Sequence, residues 1–187
     1  MSLLVLAYPV LSKADADFID AFRSKHDFAY KDVVRPHWTM VFSVPNLTKE
    51  SIENHVRDIA STSAPISFSC KCGVLYDDAE SDDYYIFLVP DAGFSAITRL
   101  HDSLYTGVLE DYLRLDIPYV PHIGIATAKD PRHLKSLCDD LNSESLDISG
   151  SIDSLTISEY DGKIVRDLIS IPLIGTPKTE QGAAANP

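Results

Sequence analysis

Two hydrophobic periods divide this sequence into strands and helices. Strict alternation of apolar and polar residues, or a short apolar run, indicates a strand, and apolar residues three and four positions apart indicate a helix. These patterns predict strands at residues 3–8, 38–44, 66–74, 84–89 and 123–126. They predict helices at residues 12–25, 49–60, 94–112 and 131–141.

Local signals mark where several of these elements begin or turn. Ser12 and Asp15 form a capping box for the first helix, and Pro131 follows a capping aspartate at the start of the last one. Residues 152–173 are expected to form a hairpin. Its turn is placed at Asp161-Gly162, a dipeptide suited to a type I′ turn.

The order of elements is strand, helix, strand, helix, two strands, helix, strand, helix, two strands. Because the second half repeats the first, the sequence favours a mixed α+β fold with a pseudo-twofold arrangement. At 187 residues the chain fits one domain, or two small lobes that share a core. We expect this domain to span residues 1–175 and the segment 176–187, which has nothing to bury, to be disordered.

Two segments of the same pattern carry the candidate chemistry, Pro36-His37-Trp38-Thr39-Met40 and Pro121-His122-Ile123-Gly124-Ile125. Prolines favour extended backbone around them, and residues i and i+2 of a strand project from one face. Each histidine therefore shares a strand face with the residue two positions later. A single histidine beside a strand is usually structural, but two on rigid strands are suited to general acid and base catalysis at neutral pH.

These paired segments resemble the motifs of the two-histidine (2H) phosphoesterases, a family that includes 2′-5′ RNA ligase-like proteins and cyclic nucleotide phosphodiesterases. The family motif is His-x-Thr/Ser, given twice, and the opening strand, the following helix and the order of elements also fit. The resemblance implies a two-lobed fold with antiparallel-rich sheets around a central cleft and helices outside. It implies no metal and no cofactor.

By this resemblance, His37 and His122 are the catalytic pair and Thr39 is a phosphate-binding hydroxyl. The implied reaction is metal-independent hydrolysis of a small ribose cyclic phosphodiester, either a 2′,3′-cyclic nucleotide or an RNA end. One histidine would deprotonate water and the other would protonate the leaving ribose oxygen; the sequence leaves open which is which. A site in which both histidines bind a metal is disfavoured, because no carboxylate or third histidine stands beside them.

Gly124 stands where the family has a second hydroxyl. Loss of one such donor costs on the order of a hundredfold in rate. A phosphate could approach the glycine backbone, or an ordered water could fill the gap. Otherwise Tyr119, Tyr8, Arg35 or Lys129 could supply a donor, whereas strand alternation places Thr127 on the other face. The alternative function is therefore a non-catalytic nucleotide- or phosphate-binding module that uses the same cleft.

The chain carries a formal net charge of -12, from 28 acidic and 16 basic residues. Because proteins bind long phosphate backbones through many Lys and Arg contacts, we expect a small nucleotide or a short RNA end as partner, and no long nucleic acid. The three cysteines lack metal-type spacing and are expected to be reduced thiols. With no secretion signal or bilayer-length apolar run, we expect a cytoplasmic or nuclear protein without a membrane partner. We also expect a monomer.

Overall fold

The structure of the protein, a computed structural model, describes residues 1–77 and 82–176. Its strands are β1 (Ser2–Ala7), β2 (Val10–Leu11), β3 (Trp38–Val44), β4 (Ile66–Cys70), β5 (Gly73–Asp77), β6 (Tyr84–Leu88), β7 (Ile123–Ala128), β8 (Ile148–Ile152), β9 (Ser154–Tyr160) and β10 (Val165–Pro172). Its helices are α1 (Lys13–His26), α2 (Lys49–Thr62), α3 (Phe94–Leu104) and α4 (Pro131–Ser143), with a 3-10 helix at Gly107–Tyr112. The predicted disordered segment lies outside the described residues from position 177 onward.

The helices begin at the residues that their sequences indicate. The Ser12 hydroxyl accepts a hydrogen bond from the Asp15 amide at the start of α1, as the capping box predicts. The Asp130 carboxylate caps α4 in the same way. The predicted helix 94–112 is wrong in its second half: α3 ends at Leu104, and Gly107, with φ of +54°, begins a separate 3-10 helix.

The strands form three sheets within the described residues, all with antiparallel neighbours, and the predicted α+β class is confirmed. Their strand orders are β10-β9-β1-β3, β2-β8-β4 and β5-β6-β7. Within the part of the chain that is described, no helix has the length and apolar character needed to cross a membrane.

The predicted strand 66–74 is wrong as a single element. Its first part, β4, pairs with β8, and its second part, β5, pairs with β6 in another sheet. Between them the Asp91 carboxylate accepts the amide hydrogen of Lys71, which interrupts the ladder. The alternation of apolar and polar residues predicts an extended backbone, but the choice of the partner strand depends on residues that are distant in the sequence.

Strand β8 was not predicted separately, since its sequence Ile-Ser-Gly-Ser-Ile has few apolar residues. The final hairpin, β9 and β10, is confirmed, but its loop has four residues (161–164) where the dipeptide indicated a two-residue turn. The Asp161 carboxylate accepts hydrogen bonds from the amides of Lys163 and Ile164, which stabilises the longer loop.

A buried ion pair joins α1 to both halves of the protein. The side chains of Arg23 and Asp27 are 6% and 3% exposed, with a nitrogen–oxygen distance of 2.8 Å. Arg23 also donates to the Val34 carbonyl at 3.0 Å, in the segment that leads to β3. Asp27 accepts a hydrogen bond from the Thr127 hydroxyl of β7 at 3.2 Å. One pair of charges therefore fixes α1 against elements that precede and follow the two histidines.

Replacement of Asp27 by alanine should leave a buried guanidinium without its partner. We expect Asp27→Ala to lower the free energy of unfolding by about 3–5 kcal/mol, measured by urea denaturation. The matched control is Asp17→Ala, which breaks the Lys13–Asp17 pair on the same helix. Those side chains are 86% and 63% exposed, so the control should change stability little. Equal effects of the two substitutions would contradict the role of the buried pair.

Candidate active site

His37 and His122 occupy equivalent places in the two halves. Each follows a proline and stands immediately before a strand, β3 for His37 and β7 for His122. Each ring keeps partial access to solvent although protein atoms surround it closely, which is the environment of a cleft. Each motif therefore stands at the start of a strand, as the sequence predicts, while the meeting of the two rings in one site stays a prediction.

The two imidazoles make the same hydrogen bond. Nδ1 of His37 lies 2.7 Å from the carbonyl oxygen of Arg35, and Nδ1 of His122 lies 2.7 Å from that of Val120. A carbonyl oxygen only accepts hydrogen bonds, so Nδ1 carries the hydrogen in both rings. In the neutral ring Nε2 is then left with a lone pair, and each histidine presents a potential base at that atom.

The two rings are close enough to influence each other's charge. Burial lowers the pKa of His37 to about 4, opposed by the bond to the Arg35 carbonyl. The charges of His122 and Arg23 lower it further, and that of Asp167 raises it. Burial also lowers the pKa of His122. Both histidines are therefore neutral at pH 7 in the free protein, and a bound anion would raise the proton affinity of both.

A β-bulge follows each histidine at the same distance. One extra residue follows Thr39 in β3, and one extra residue follows Gly124 in β7. Bulges are frequent next to active sites, where they redirect side chains. The second bulge also moves Thr127 onto the face of Gly124, contrary to simple alternation, but its hydroxyl donates to Asp27.

Gly124 lies beneath an aromatic ring. It pairs across the sheet with Phe87, whose ring stacks on His122 with 3.7 Å between centroids and 16° between planes. A Cβ atom at position 124 would lie 3.8 Å from the nearest atom of Phe87, an ordinary van der Waals contact. No steric reason therefore excludes a small side chain at this position. Where the family motif has a hydroxyl, the second motif of this chain has no side chain and lies against the buried ring of Phe87.

Strand β3, which carries Thr39, is held along its outer edge by tyrosines. Three of them, spaced seven residues apart, hydrogen-bond the backbone of this strand or the residue after it: Tyr105, Tyr112 and Tyr119. The Tyr119 hydroxyl donates to the Thr39 carbonyl at 3.1 Å, and its ring stacks on His101 at 3.5 Å. The structure thus joins the two motifs through Tyr119, while the predicted donation of this hydroxyl to a substrate stays a prediction.

Tyr8 and Arg35 meet at Asp167 on the His37 side. Tyr8 and Arg35 each donate to this carboxylate at 2.7 Å, as Ser158 does at 2.9 Å. The Arg35 guanidinium lies 3.8 Å from the centre of the Tyr8 ring. Burial, and then the Asp167 hydrogen bond, raise the pKa of Tyr8 to about 12, so its hydroxyl remains protonated. Tyr8, Arg35, Asp167 and Lys31 line a cavity of about 240 Å³.

Sequence reasoning did not foresee the contacts of three residues that surround the predicted site: Phe87, His101 and Asp167. His101 is 2% exposed, and it contacts Tyr119 only because α3 folds against the loop before β7. Phe87 reaches His122 through the register of β6 and β7. No local signal reports these contacts. Among the described residues, no group of three His, Cys, Asp or Glu side chains is placed to hold a metal ion.

The fold and the paired histidines define a protein of the two-histidine class. The sequence model of the 2′-5′ RNA ligase superfamily matches residues 10–164, and the chain belongs to this superfamily. The predicted resemblance is thereby confirmed. A Bacillus licheniformis protein named as a candidate phosphoesterase is 26% identical over 125 residues. That match covers 62% of this chain and 65% of the relative.

Solved structures of the same fold come from bacteria and yeast. TT0787 of Thermus thermophilus superposes with a TM-score of 0.61 at 16% identity, covering 94% of this chain and 99% of that one. Escherichia coli LigT complexed with 3′-AMP gives 0.57 at 14% identity, covering 92% and 97%. Kluyveromyces marxianus Usb1 gives 0.54 at 11% identity, covering 91% and 97%. These likenesses establish the fold.

The lowered pKa of His37 predicts a pH-dependent loss of stability. Because its pKa is about 4 in the fold and near 6.5 when unfolded, the unfolded chain takes up the proton first as pH falls. Stability from this group is therefore complete above about pH 6.5 and is lost progressively down to about pH 4.

We expect the fall in Tm between about pH 7 and pH 4.5 to be smaller in His37→Gln than in the wild type, measured by thermal unfolding. His133→Gln, at an exposed histidine of α4, is the control and should follow the wild type. An identical fall in His37→Gln and the wild type would show that His37 is not held neutral by the fold.

Proposed function

We propose that this protein hydrolyses a small ribose cyclic phosphodiester without a metal, with His37 and His122 as the acid–base pair. The observation that carries the proposal is the matched geometry of the two rings. Each has Nδ1 fixed by a backbone carbonyl, each stands before a bulged strand, and the charge of one affects the other. Two such imidazoles can supply both proton transfers of the reaction.

In the proposed reaction, one neutral histidine takes a proton from water at Nε2 as the water oxygen forms a bond to phosphorus. The bond from phosphorus to one ribose oxygen breaks, and the second histidine, which starts protonated, gives its proton to that oxygen. The product is a ribose monophosphate with a free neighbouring hydroxyl. By the resemblance to the family, we propose the 2′-phosphate. The two histidines end with their protonation states exchanged.

Thr39 would stabilise the charge that develops on the phosphate. It shares the strand face of His37, and the Tyr119 bond holds its backbone. A preorganised hydroxyl donor of this kind contributes about a hundredfold or more to the rate. With Gly124 on the other side, the site has one such hydroxyl where the family motif has two, so we expect a slower reaction than with both.

The proposed substrate is a small nucleotide or a short RNA end. The net charge of -12 opposes association with long phosphate backbones but leaves room for one phosphate in a local site. Among proteins of this fold, LigT is known in complexes with 3′-AMP, NADP+ and phosphate, which supports a nucleotide-sized ligand here.

The absence of the second hydroxyl also favours one other function, a module that binds the same ligand without turnover. In that case the cleft would hold a nucleotide through Thr39 and the two imidazoles. The experiment below separates the two functions.

The test is product analysis with nucleoside 2′,3′-cyclic monophosphates in the presence of EDTA. We expect a single phosphate isomer from the wild type, and a loss of about 100-fold or more in both His37→Ala and His122→Ala. His133→Ala, at an exposed histidine, should retain activity.

Two other results would lead to different functions. A nucleotide-induced rise in Tm without product, reduced in Thr39→Ala, would contradict the enzyme and support the binding module. Activity that EDTA abolishes and a divalent cation restores would contradict the metal-independent mechanism.

A further inference from the structure

The aromatic stack on His122 distinguishes the two histidines from each other. The ring centroids of Phe87 and His122 are 3.7 Å apart and the planes are tilted by only 16°. His37 has the same carbonyl bond, yet ionisable groups act on it: Arg23, Asp167 and His122 itself. His122 therefore stacks on a hydrocarbon π-face, whereas His37 is surrounded by ionisable groups of both signs.

The face of an aromatic ring carries the negative part of its quadrupole and attracts a cation placed over it. An imidazolium stacked on Phe87 gains this attraction, whereas a neutral imidazole gains only ordinary stacking. The interaction is stronger where water is excluded, and Phe87 is only 9% exposed. Phe87 thus favours the protonated form of His122 and offsets part of the opposite effect of burial.

Two imidazoles whose charges interact titrate as a coupled pair, because a proton on one disfavours a proton on the other. The negative charge of a bound phosphodiester raises the proton affinity of the pair, and the first proton goes to the ring with the better environment for a cation. From this geometry we infer that Phe87 is a positioning residue that makes His122 the protonated acid and leaves His37 the neutral base.

This inference rests on the proposed two-histidine function, and it gives Gly124 a structural meaning. Phe87 faces Gly124 across the sheet, where no side chain stands against its ring. A Cβ atom at position 124 would meet the edge of this ring at ordinary van der Waals distance. The second motif therefore has an aromatic support for its histidine in place of a hydroxyl donor for the phosphate.

Within the part of the chain that is described, His37 acts electrostatically on His122, and the rings of Tyr76 and Tyr85 lie beyond Phe87. The Tyr76 and Tyr85 ring centroids lie 5.0 Å and 5.4 Å from that of Phe87. The electrostatic interaction between the two imidazoles is the one that couples their protonation.

The test is an NMR titration of both imidazoles in protein labelled with 13C-histidine, with His37→Gln and His122→Gln used to assign the signals. We expect the pKa of His122 to lie above that of His37 in the wild type. Phe87→Leu keeps an apolar neighbour but removes the π-face, and it should lower the pKa of His122 by about half to one unit. Phe87→Met serves as the second non-aromatic variant if the leucine variant does not fold.

The matched control is Tyr76→Leu, which removes the next ring of the cluster and should leave the pKa of His122 unchanged. If Phe87→Leu leaves that pKa unchanged, or if His37 has the higher pKa in the wild type, the inference is overturned. The titration needs no substrate, so it tests the role of Phe87 even if the protein proves to be inactive as an enzyme. In an active protein, the basic limb of the pH profile of kcat should move to lower pH in Phe87→Leu by the same amount.

Discussion

The buried ion pair between Arg23 and Asp27 is the interaction on which the placement of both motifs depends. Arg23 holds the carbonyl of Val34 in the segment before the first histidine, and Asp27 holds the hydroxyl of Thr127 in the strand after the second. Two charges this deeply buried are costly unless each is fully paired, so the arrangement has little freedom to move. The short segment between α1 and β3 is thereby kept against β7.

Within this frame the two halves have diverged in chemistry while keeping the same backbone. Both have a proline, a histidine bonded to the carbonyl two residues earlier, and a bulge one residue after the position of the motif hydroxyl. The first half adds charged and hydroxyl groups, represented by Thr39 and Arg35. The second adds apolar surface, represented by Gly124 and Phe87. Such a division suits a reaction that needs one neutral and one protonated imidazole at the same time.

The sequence predicted those features that depend on neighbouring residues. The caps of α1 and α4 and the strand character of the two motifs follow from local rules. It failed where partner choice decides the outcome, as in the split of residues 66–74 between two sheets. The Phe87 stack was beyond reach for the same reason, because it depends on the register of β6 and β7 and on a bulge that alternation does not reveal.

A crystal structure of the protein with a nucleoside 2′-monophosphate would test the two-histidine site directly. We expect the phosphate to lie between the two imidazoles, with its oxygens about 3 Å from Nε2 of His37 and of His122, and the Thr39 hydroxyl to donate to it. A phosphate bound instead in the cavity beside Arg35 and Lys31, with the histidines uninvolved, would contradict this expectation.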